Sequence, residues 1–294
     1  MGEDQVPTKL YRYRGYTDAD LLSEERRARI ALEIERAKHG QVWFSPLSAQ
    51  NDPFDTNPCY LKSPRWEVQK LIKEFHRRYG ILASFSGSNL AAAAAKKGLS
   101  RKALKSVKKK TYVDATFDTS DNLLKTTRTD MTICCFSASD SDILMWSYYA
   151  SSHSSFCFRF ERSESQAGEA RSKLGRVKYT SERPTISTIQ IILNAIERAY
   201  PEFKKLSHKD RDTFTDSFIL TKSDHWSHEK EWRALRRFPS KSGYHSISPY
   251  RLTGIIMGCR ASSNLEKYLN DVSGHGIDVL HATVDENMYK LHVK

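Results

Sequence analysis

The hydrophobic pattern at the start of the chain changes from alternation to helical spacing. Bulky residues alternate with polar ones over Lys9–Arg14, which is typical of a β-strand. An apolar stripe with three- and four-residue steps follows, beginning after Thr17 or Asp18, either of which can cap a helix. A glycine after His39 ends this pattern. We therefore predict a strand, a helix, and a second strand at Val42–Ser45.

The rest of the chain contains further segments of both kinds. Amphipathic spacing predicts helices at Trp66–Tyr79, Thr185–Tyr200 and most of Phe203–Asp224, and a short helix or turn at Asp142–Ala150. Apolar or alternating runs predict strands at Thr132–Ser137, Ser155–Phe160, Gly175–Tyr179, Glu231–Arg236, Leu252–Gly258, Ile277–Ala282 and Tyr289–Val293. Because strands and helices are segregated, we expect an α+β fold. We expect a single domain over residues 1–294, with a basic helical insertion at about 90–124.

Composition narrows the class of protein. The sequence has 294 residues, 39% of them hydrophobic and 11% aromatic, values that favour a folded domain over disorder. No apolar run approaches the roughly 20 residues needed to span a bilayer, and the acidic, polar start predicts no secretory signal. The five cysteines form no CxxC pair, so we expect reduced thiols and no metal site. These features predict a cytoplasmic protein without membrane contact.

Positive charge is concentrated in one segment. The formal net charge is +12, and residues 96–110 contain eight lysines and arginines and no acid. Such a run is either a solvated helix face or a contact for nucleic acid or another polyanion. Under the second interpretation the contact residues are Lys102, Lys105, Lys108 and Lys109.

A pair of glutamates is the first candidate for chemistry. If Glu229 and Glu231 lie on one strand, both side chains point to the same face, since residues two apart do so. Two carboxylates at close range raise one pKa, which suits acid–base work. The alternative is an exposed strand or turn whose glutamates pair with Lys230 and Arg233.

Aromatic residues surround the other candidates. Arg12 lies between two tyrosines, of which Tyr13 is one, and can grip a phosphate or carboxylate or simply face solvent. Tyr149 and His153 follow a tryptophan and can form a stacking platform for a base or nicotinamide ring, or belong to the core. The stretch Asn51–Phe54 predicts a turn that shapes the chain.

Several short motifs follow one another along the chain: the opening Leu-Tyr-Arg-Tyr, the Asn-Asp-Pro-Phe loop, the Cys-Phe-Ser strand, the Met-Trp-Ser-x-Tyr-Ala-x-x-His turn, the run from Lys222 to Arg233, and the closing Ile-Met-Gly-Cys-Arg. Taken in this order, they resemble the bacterial family called domain of unknown function 2971. The chain departs from the family pattern at His228, where tyrosine is common, and after His153, where glycine is common.

The layout is also similar, more loosely, to that of ADP-ribosyltransferases. This second resemblance implies a split, mostly antiparallel β-sheet with flanking helices around an NAD cleft. It implies that Arg12 holds NAD as the substrate and that Ser137 or Tyr149 supports the nicotinamide ring. It further implies that Glu231 is the catalytic carboxylate and that Glu229 orients the acceptor.

Three functions are therefore expected at this point. The first is an ADP-ribosyltransferase-like enzyme that uses NAD to modify a protein or nucleic acid, as a bacterial toxin, effector or anti-phage protein. The second is a protein that binds or cleaves nucleic acid through the basic segment and the paired carboxylates. The third is a non-enzymatic interaction module.

Overall fold

A computed structural model describes residues 6–79, 122, 124–125, 127–163, 172–199, 217–236 and 240–294. The described residues form two compact units. The first unit draws on the segments Met1–Ala49, Asp130–Ser181 and Lys222–Lys294, and the second on Gln50–Thr129 and Glu182–Thr221. A single domain over residues 1–294 is expected from the sequence, and this expectation stays a prediction. Most of the expected basic insertion, including Lys102, Lys105, Lys108 and Lys109, lies outside the described residues.

The helices and strands are numbered here in chain order. The helices are α1 (Asp18–Leu21), α2 (Glu24–Lys38), α3 (Arg65–Tyr79), α4 (Ile143–Tyr149), α5 (Thr188–Ala199) and α6 (Ser263–Ser273), with 3-10 turns at Leu47–Ala49 and Asp224–Glu229. The strands are β1 (Lys9–Arg14), β2 (Gln41–Pro46), β3 (Cys59–Leu61), β4 (Thr132–Ser137), β5 (Phe156–Arg162), β6 (Lys173–Arg176), β7 (Lys178–Thr180), β8 (Thr185–Ser187), β9 (Thr221–Ser223), β10 (Glu231–Arg236), β11 (Gly243–Ser246), β12 (Tyr250–Met257), β13 (Asp278–Val284) and β14 (Leu291–Val293).

Local sequence explains several of these boundaries. The single helix predicted after Thr17 is divided in two, because the side chain of Ser23 accepts a hydrogen bond from the Arg26 amide and starts α2. Gly40, with φ 64°, follows the end of α2, as expected of a left-handed residue after a helix. The prediction of helix from Thr185 onward was wrong for its first three residues, which pair with β3 as the parallel strand β8.

Ten strands of the first unit form one sheet. The main path is β11-β2-β4-β1-β5-β12-β13-β14, and β10 pairs with both β4 and β6. The described pairs of this sheet are antiparallel, except that β12 and β13 are parallel. The prediction of a mixed fold with a mostly antiparallel sheet is confirmed.

Strand β4 is the branching point of the sheet. One edge pairs with β10 along its whole length. The other edge is shared, since β2 pairs with Thr132 and Ile133 while β1 pairs only with Ser137. Strands β1 and β2 therefore leave β4 at different points, and Ser137 lies where β1, β4 and β10 meet.

The two faces of the sheet carry separate apolar clusters. The cluster on one face includes Leu10, Phe158 and α2, whose Ile30 and Ile34 are buried. The cluster on the other face includes Tyr11, Tyr13 and α4, whose Trp146 is fully buried. Because neighbouring residues of a strand point to opposite faces, β1 contributes to both clusters.

Candidate active site

The Glu229–Glu231 segment is a junction between a 3-10 turn and a strand. Glu229 ends the turn, Lys230 adopts the left-handed conformation (φ 46°, ψ 48°), and Glu231 begins β10. The premise that both glutamates lie on one strand was therefore wrong. The left-handed residue still leaves both carboxylates within reach of one cation.

That cation is Lys222, on β9. Its Nζ donates to Glu229 Oε2 at 2.5 Å and to Glu231 Oε2 at 3.4 Å. Arg233 grips Glu231 with two parallel hydrogen bonds, from Nε to Oε1 at 2.7 Å and from Nη2 to Oε2 at 2.9 Å. These four side chains are at most 5% exposed. They form a buried charge cluster, which we define as Lys222, Glu229, Glu231 and Arg233.

Tyr149 connects this cluster to the surface. Its hydroxyl donates to Glu229 Oε1 at 2.7 Å, and its side chain is partly exposed on α4. Ser137, the competing sequence prediction for this place, is buried and donates instead to the main-chain oxygen of Glu229 at 2.7 Å. Of the two residues, Tyr149 is the one that contacts the carboxylate.

The two carboxyl groups differ in pKa. Burial raises the pKa of Glu231, but the positive charges of Arg233 and Lys222 lower it by more, so that the pKa of Glu231 is about 2. Burial and the neighbouring charge of Glu231 raise the pKa of Glu229 above its ordinary value, although Lys222 and Tyr149 oppose the change. Two carboxyl groups that share one lysine thus have pKa values displaced in opposite directions.

Arg12 does not join this cluster. Residues directly opposite each other on paired strands share a face of the sheet. Tyr11 is opposite Ser137, and Ser137 is opposite Glu231, so these three share one face. The side chain of Arg12 leaves from the other face, where its Nη2 donates to the main-chain oxygen of Trp43 at 3.3 Å. The structure does not bring Arg12 and Glu231 together.

Tyr13 is a packing residue in this structure. Its ring meets the edge of Trp146 with centroids 5.1 Å apart, and its hydroxyl donates to the main-chain oxygen of Ser139 at 2.8 Å. The side chain is 7% exposed. Tyr13 therefore fixes α4 against the sheet and presents little surface to a ligand.

His153 lies in a strained turn beyond α4. Ser151, Ser152 and His153 are consecutive left-handed residues with φ of 47°, 53° and 70°. Main-chain bonds hold the turn, among them His153 N to Trp146 O at 3.2 Å. Left-handed non-glycine residues are uncommon and persist where the surroundings impose them.

Gly258 packs closely against the main chain of this turn. A Cβ atom at this position would lie 2.1 Å from the main-chain oxygen of His153. The Gly258 amide donates to Ser155 O at 2.8 Å, and the Arg260 amide donates to His153 O at 3.0 Å. The histidine of one sequence motif thus docks on the Gly-Cys-Arg of another, and only glycine permits the close approach.

A cavity of about 480 Å³ opens beside this docking point. It is lined by Ile143, His153, Cys259, Arg260, Val284, Asp285, Glu286, Asn287, Met288, Tyr289, Lys290 and Leu291. The last eight residues belong to the end of β13, the start of β14 and the loop between them. The volume falls in the range of small-molecule sites, roughly 300–1,000 Å³.

The sequence predictions did not include several residues of these two sites. Lys222 was quoted only as the end of a motif, and Arg260 only as the end of another. Arg233 was also named as an ion-pair partner of the glutamates, and its pair with Glu231 is present. Tyr179 was not singled out, although its hydroxyl accepts a hydrogen bond from the Glu231 amide at 2.8 Å. For the three charged residues, their place in a family-like motif could have indicated a functional role. Tyr179 belongs to no such motif, so no local feature of the sequence indicated its contact with Glu231.

Two findings apply to the described residues alone. Within the described ranges, no group of three or more histidine, cysteine, aspartate or glutamate side chains is placed to hold a metal ion. No helix in that part of the chain is long and apolar enough to cross a membrane.

Comparison with known proteins shows a similarity to a family over part of the chain. The model for the family described as protein of unknown function (DUF2971) matches residues 145–234. The matched region runs from α4 through the His153 turn to Arg233 and Ala234, so it contains every member of the buried charge cluster. No curated protein and no solved structure matches the chain.

Proposed function

We propose that the chain is an enzyme that transfers ADP-ribose from NAD to a macromolecular acceptor, either a protein or a nucleic acid. The observation that carries the proposal is the pair Glu229 and Glu231, buried together with pKa values displaced in opposite directions. Environments that separate two carboxyl pKa values in this way give the two groups different roles, as in enzymes that break glycosidic bonds. The bond between ribose and nicotinamide in NAD is such a bond.

The contacts favour Glu229 over Glu231 as the reacting carboxylate. Arg233 occupies both oxygens of Glu231, whose pKa of about 2 makes it a poor proton acceptor. Glu229 has the raised pKa and a hydrogen bond to a partly exposed tyrosine. We therefore assign proton acceptance to Glu229 and a positioning role to Glu231, the reverse of what the resemblance to ADP-ribosyltransferases implied.

Tyr149 is the group that meets the reactants. The C1′–N bond of NAD breaks and its electron pair leaves with nicotinamide. A lone pair of the acceptor nucleophile forms the new bond to C1′. The nucleophile gives its proton to the Tyr149 oxygen while the phenol proton passes to Glu229 over the 2.7 Å hydrogen bond. Lys222, which touches both carboxylates, keeps the charge of the cluster balanced before the transfer.

Nicotinamide release from NAD is the direct test. Purified full-length chain is incubated with NAD and a cell lysate as the source of acceptors, and free nicotinamide is measured. We expect release that falls by about a hundredfold or more in Tyr149→Phe and Glu229→Gln, with NAD affinity by calorimetry changed less than about threefold. A loss of this size matches the roughly 10²–10⁴-fold that general acid–base groups contribute.

Matched variants control for structural damage. Tyr268→Phe removes a tyrosine hydroxyl that donates to the main-chain oxygen of Arg27 on the other side of the sheet. Glu33→Gln removes a buried carboxylate that pairs with Arg14 at 2.7 Å. Both controls should retain full nicotinamide release. The proposal is overturned if no NAD binding and no nicotinamide release occur with any acceptor, or if the controls lose as much activity as the site variants.

The nucleic-acid alternative rests on the basic segment. Lys105, Lys108 and Lys109 lie outside the described residues, so that function stays a prediction from sequence. Salt-dependent binding of RNA or DNA that is lost on neutralising these three lysines would favour it.

A further inference from the structure

The resemblance to ADP-ribosyltransferases implied that Arg12 holds NAD, but Arg12 lies on the opposite face of the sheet from the buried charge cluster. A cation on the same face as Tyr149 is therefore needed. Helix α4 lies on that face, with Tyr149 at one end and Ile143, which lines the cavity, at the other. The two residues are about 9 Å apart along the helix axis, from a rise of about 1.5 Å per residue.

His153 lines the cavity with a neutral imidazole ring. Ser147 Oγ donates to the main-chain oxygen of Ile143 at 2.8 Å, so its single hydrogen is used. The His153 Nε2 at 3.1 Å must therefore donate to Ser147 Oγ, and Nδ1 carries the lone pair. Burial and Arg260 lower the pKa of His153, which keeps the ring neutral. Nδ1 is buried and has no partner among the residues that the structure describes.

The charges around the cavity leave two cations for a ligand. Arg260 and Lys290 line it together with two acids, Asp285 and Glu286. The Asp285 carboxylate is already hydrogen-bonded within its own loop. It accepts hydrogen bonds from the amides of residues 287 and 288, and from the His292 ring at 2.7 Å. Glu286 remains as a single exposed acid. A guanidinium is well suited to bind phosphate with two parallel hydrogen bonds.

Part of the cavity lining is apolar and aromatic, next to the charged Glu286 and Lys290. Tyr289 is fully exposed, and Met288 and Val284 are 59% and 65% exposed. These three residues belong to one loop and its flanking strand end at the mouth of the cavity. Exposed apolar residues gathered at a cavity mouth are typical of a surface that a flat ligand ring covers.

We propose that this cavity binds the adenylate half of NAD, with the base between the Tyr289 loop and His153 and the phosphate on Arg260 and Lys290. From the cavity, the rest of the dinucleotide runs along α4 towards Tyr149. The identity of the ligand rests on the proposed function, but the chemistry of the cavity is tested separately with AMP.

The test compares AMP, adenosine and ribose 5-phosphate as ligands in calorimetry. The site variant is Arg260→Ala, and the matched control is Arg251→Ala, an exposed arginine on β12 that does not line the cavity. We expect AMP to bind the unaltered chain, with at least a tenfold loss of affinity in Arg260→Ala and none in Arg251→Ala. Adenosine should bind more weakly than AMP and be insensitive to Arg260→Ala.

A second variant addresses the aromatic rim. Tyr289→Ala removes a fully exposed ring and should weaken AMP and adenosine alike, by about fivefold or more, without affecting ribose 5-phosphate. Phe54→Ala, an exposed aromatic of the second unit, should leave all three unchanged. Equal AMP affinity in Arg260→Ala and Arg251→Ala would overturn the inference. So would binding of ribose 5-phosphate as tight as that of AMP, because the cavity would then be an anion site only.

The same variants separate this inference from the proposed function. If nicotinamide is released from NAD and Arg260→Ala changes neither release nor AMP affinity, the inference fails and the function stands. If AMP binding depends on Arg260 and no nicotinamide is released under any condition, the function fails and the adenylate site stands.

Discussion

The bidentate pair of Arg233 and Glu231 gives the sharpest prediction about stability. We consider the variant Arg233→Met, which keeps a long side chain at a fully buried position and removes the charge. Glu231 would then keep the 3.4 Å contact to Lys222, which Glu229 also occupies at 2.5 Å, and a hydrogen bond to the Cys135 side chain. A buried carboxylate without its main partner is strongly unfavourable.

The magnitude follows from the pKa. The native environment lowers the pKa of Glu231 from 4.5 to about 2, a change equivalent to about 3 kcal/mol at 1.36 kcal/mol per pKa unit. Removal of one partner of a buried ion pair typically costs about 3–5 kcal/mol. We therefore expect Arg233→Met to lower the free energy of unfolding by about 3 kcal/mol at pH 7.5.

The dependence on pH has an expected sign. In the unaltered chain, the folded pKa of Glu231 lies below the unfolded value, so its contribution is complete above pH 4.5 and is lost as the pH falls towards 2. In Arg233→Met we expect burial to dominate, since the largest opposing charge is removed, and to raise the folded pKa of Glu231 above its ordinary value. Protonation then relieves the buried charge, so the deficit of the variant should shrink as the pH falls from 7.5 to 5.

Urea unfolding followed by tryptophan fluorescence at pH 7.5 and pH 5 measures both quantities. Asp278→Asn is the matched control, because Arg159 and Asp278 are also 2.7 Å apart but the Asp278 side chain is 67% exposed. That pair should contribute at most about 1 kcal/mol. The double variant Glu231→Gln with Arg233→Met should recover part of the loss. A deficit for Arg233→Met no larger than that of Asp278→Asn, or one that grows on acidification, would refute the reasoning.

Three further predictions concern the turn, the core and the reaction. Gly258→Ala places a Cβ 2.1 Å from the main-chain oxygen of His153, so we expect the free energy of unfolding in urea to fall by about 1–3 kcal/mol. Gly15→Ala, whose Cβ would lie 3.2 Å from a serine hydroxyl, should lower it less. Equal losses in the two variants would count against the close approach at Gly258. Phe158→Ala, at a position 1% exposed, should cost about 3–5 kcal/mol in the same assay, and a loss below about 1 kcal/mol would show that the core can collapse around it. The rate of nicotinamide release should decline as the pH falls and Glu229 becomes protonated, and the decline should begin at a higher pH than for an ordinary glutamate because the pKa of Glu229 is raised. A rate independent of pH from 4 to 8 would exclude Glu229 as the proton acceptor.

Local patterns in the sequence were sufficient for many elements. β1 and β10 have the predicted bounds, Lys9–Arg14 and Glu231–Arg236, because alternation and bulk are recorded directly in the residues. The turn predicted at Asn51–Phe54 is present, with the Phe54 amide donating to Asp52 Oδ1 at 2.8 Å. Short-range hydrogen bonds of this kind depend on residues two or three positions apart, which a sequence displays.

The site depended on relations that the sequence does not display. The interpretation of Glu229 and Glu231 as two residues of one strand failed because Lys230 is left-handed, and nothing in its residue type requires that conformation. The partnership of Glu229 with Tyr149 joins positions 80 residues apart. Such contacts follow from strand register and helix placement, which are settled by the packing of the whole unit.

Local residue patterns therefore predicted most segments of this protein and the residue types that could carry chemistry. Tertiary structure decided which of those residues meet. Arg12 and Glu231 were each credible partners of NAD, but the register that sets Tyr11 opposite Ser137, and Ser137 opposite Glu231, sends Arg12 to the other face. The same packing brought His153 to Gly258 and Arg260, which no local pattern had joined. The physical reason is that side chains alternate along a strand, so a register fixed by distant contacts determines which face each residue occupies.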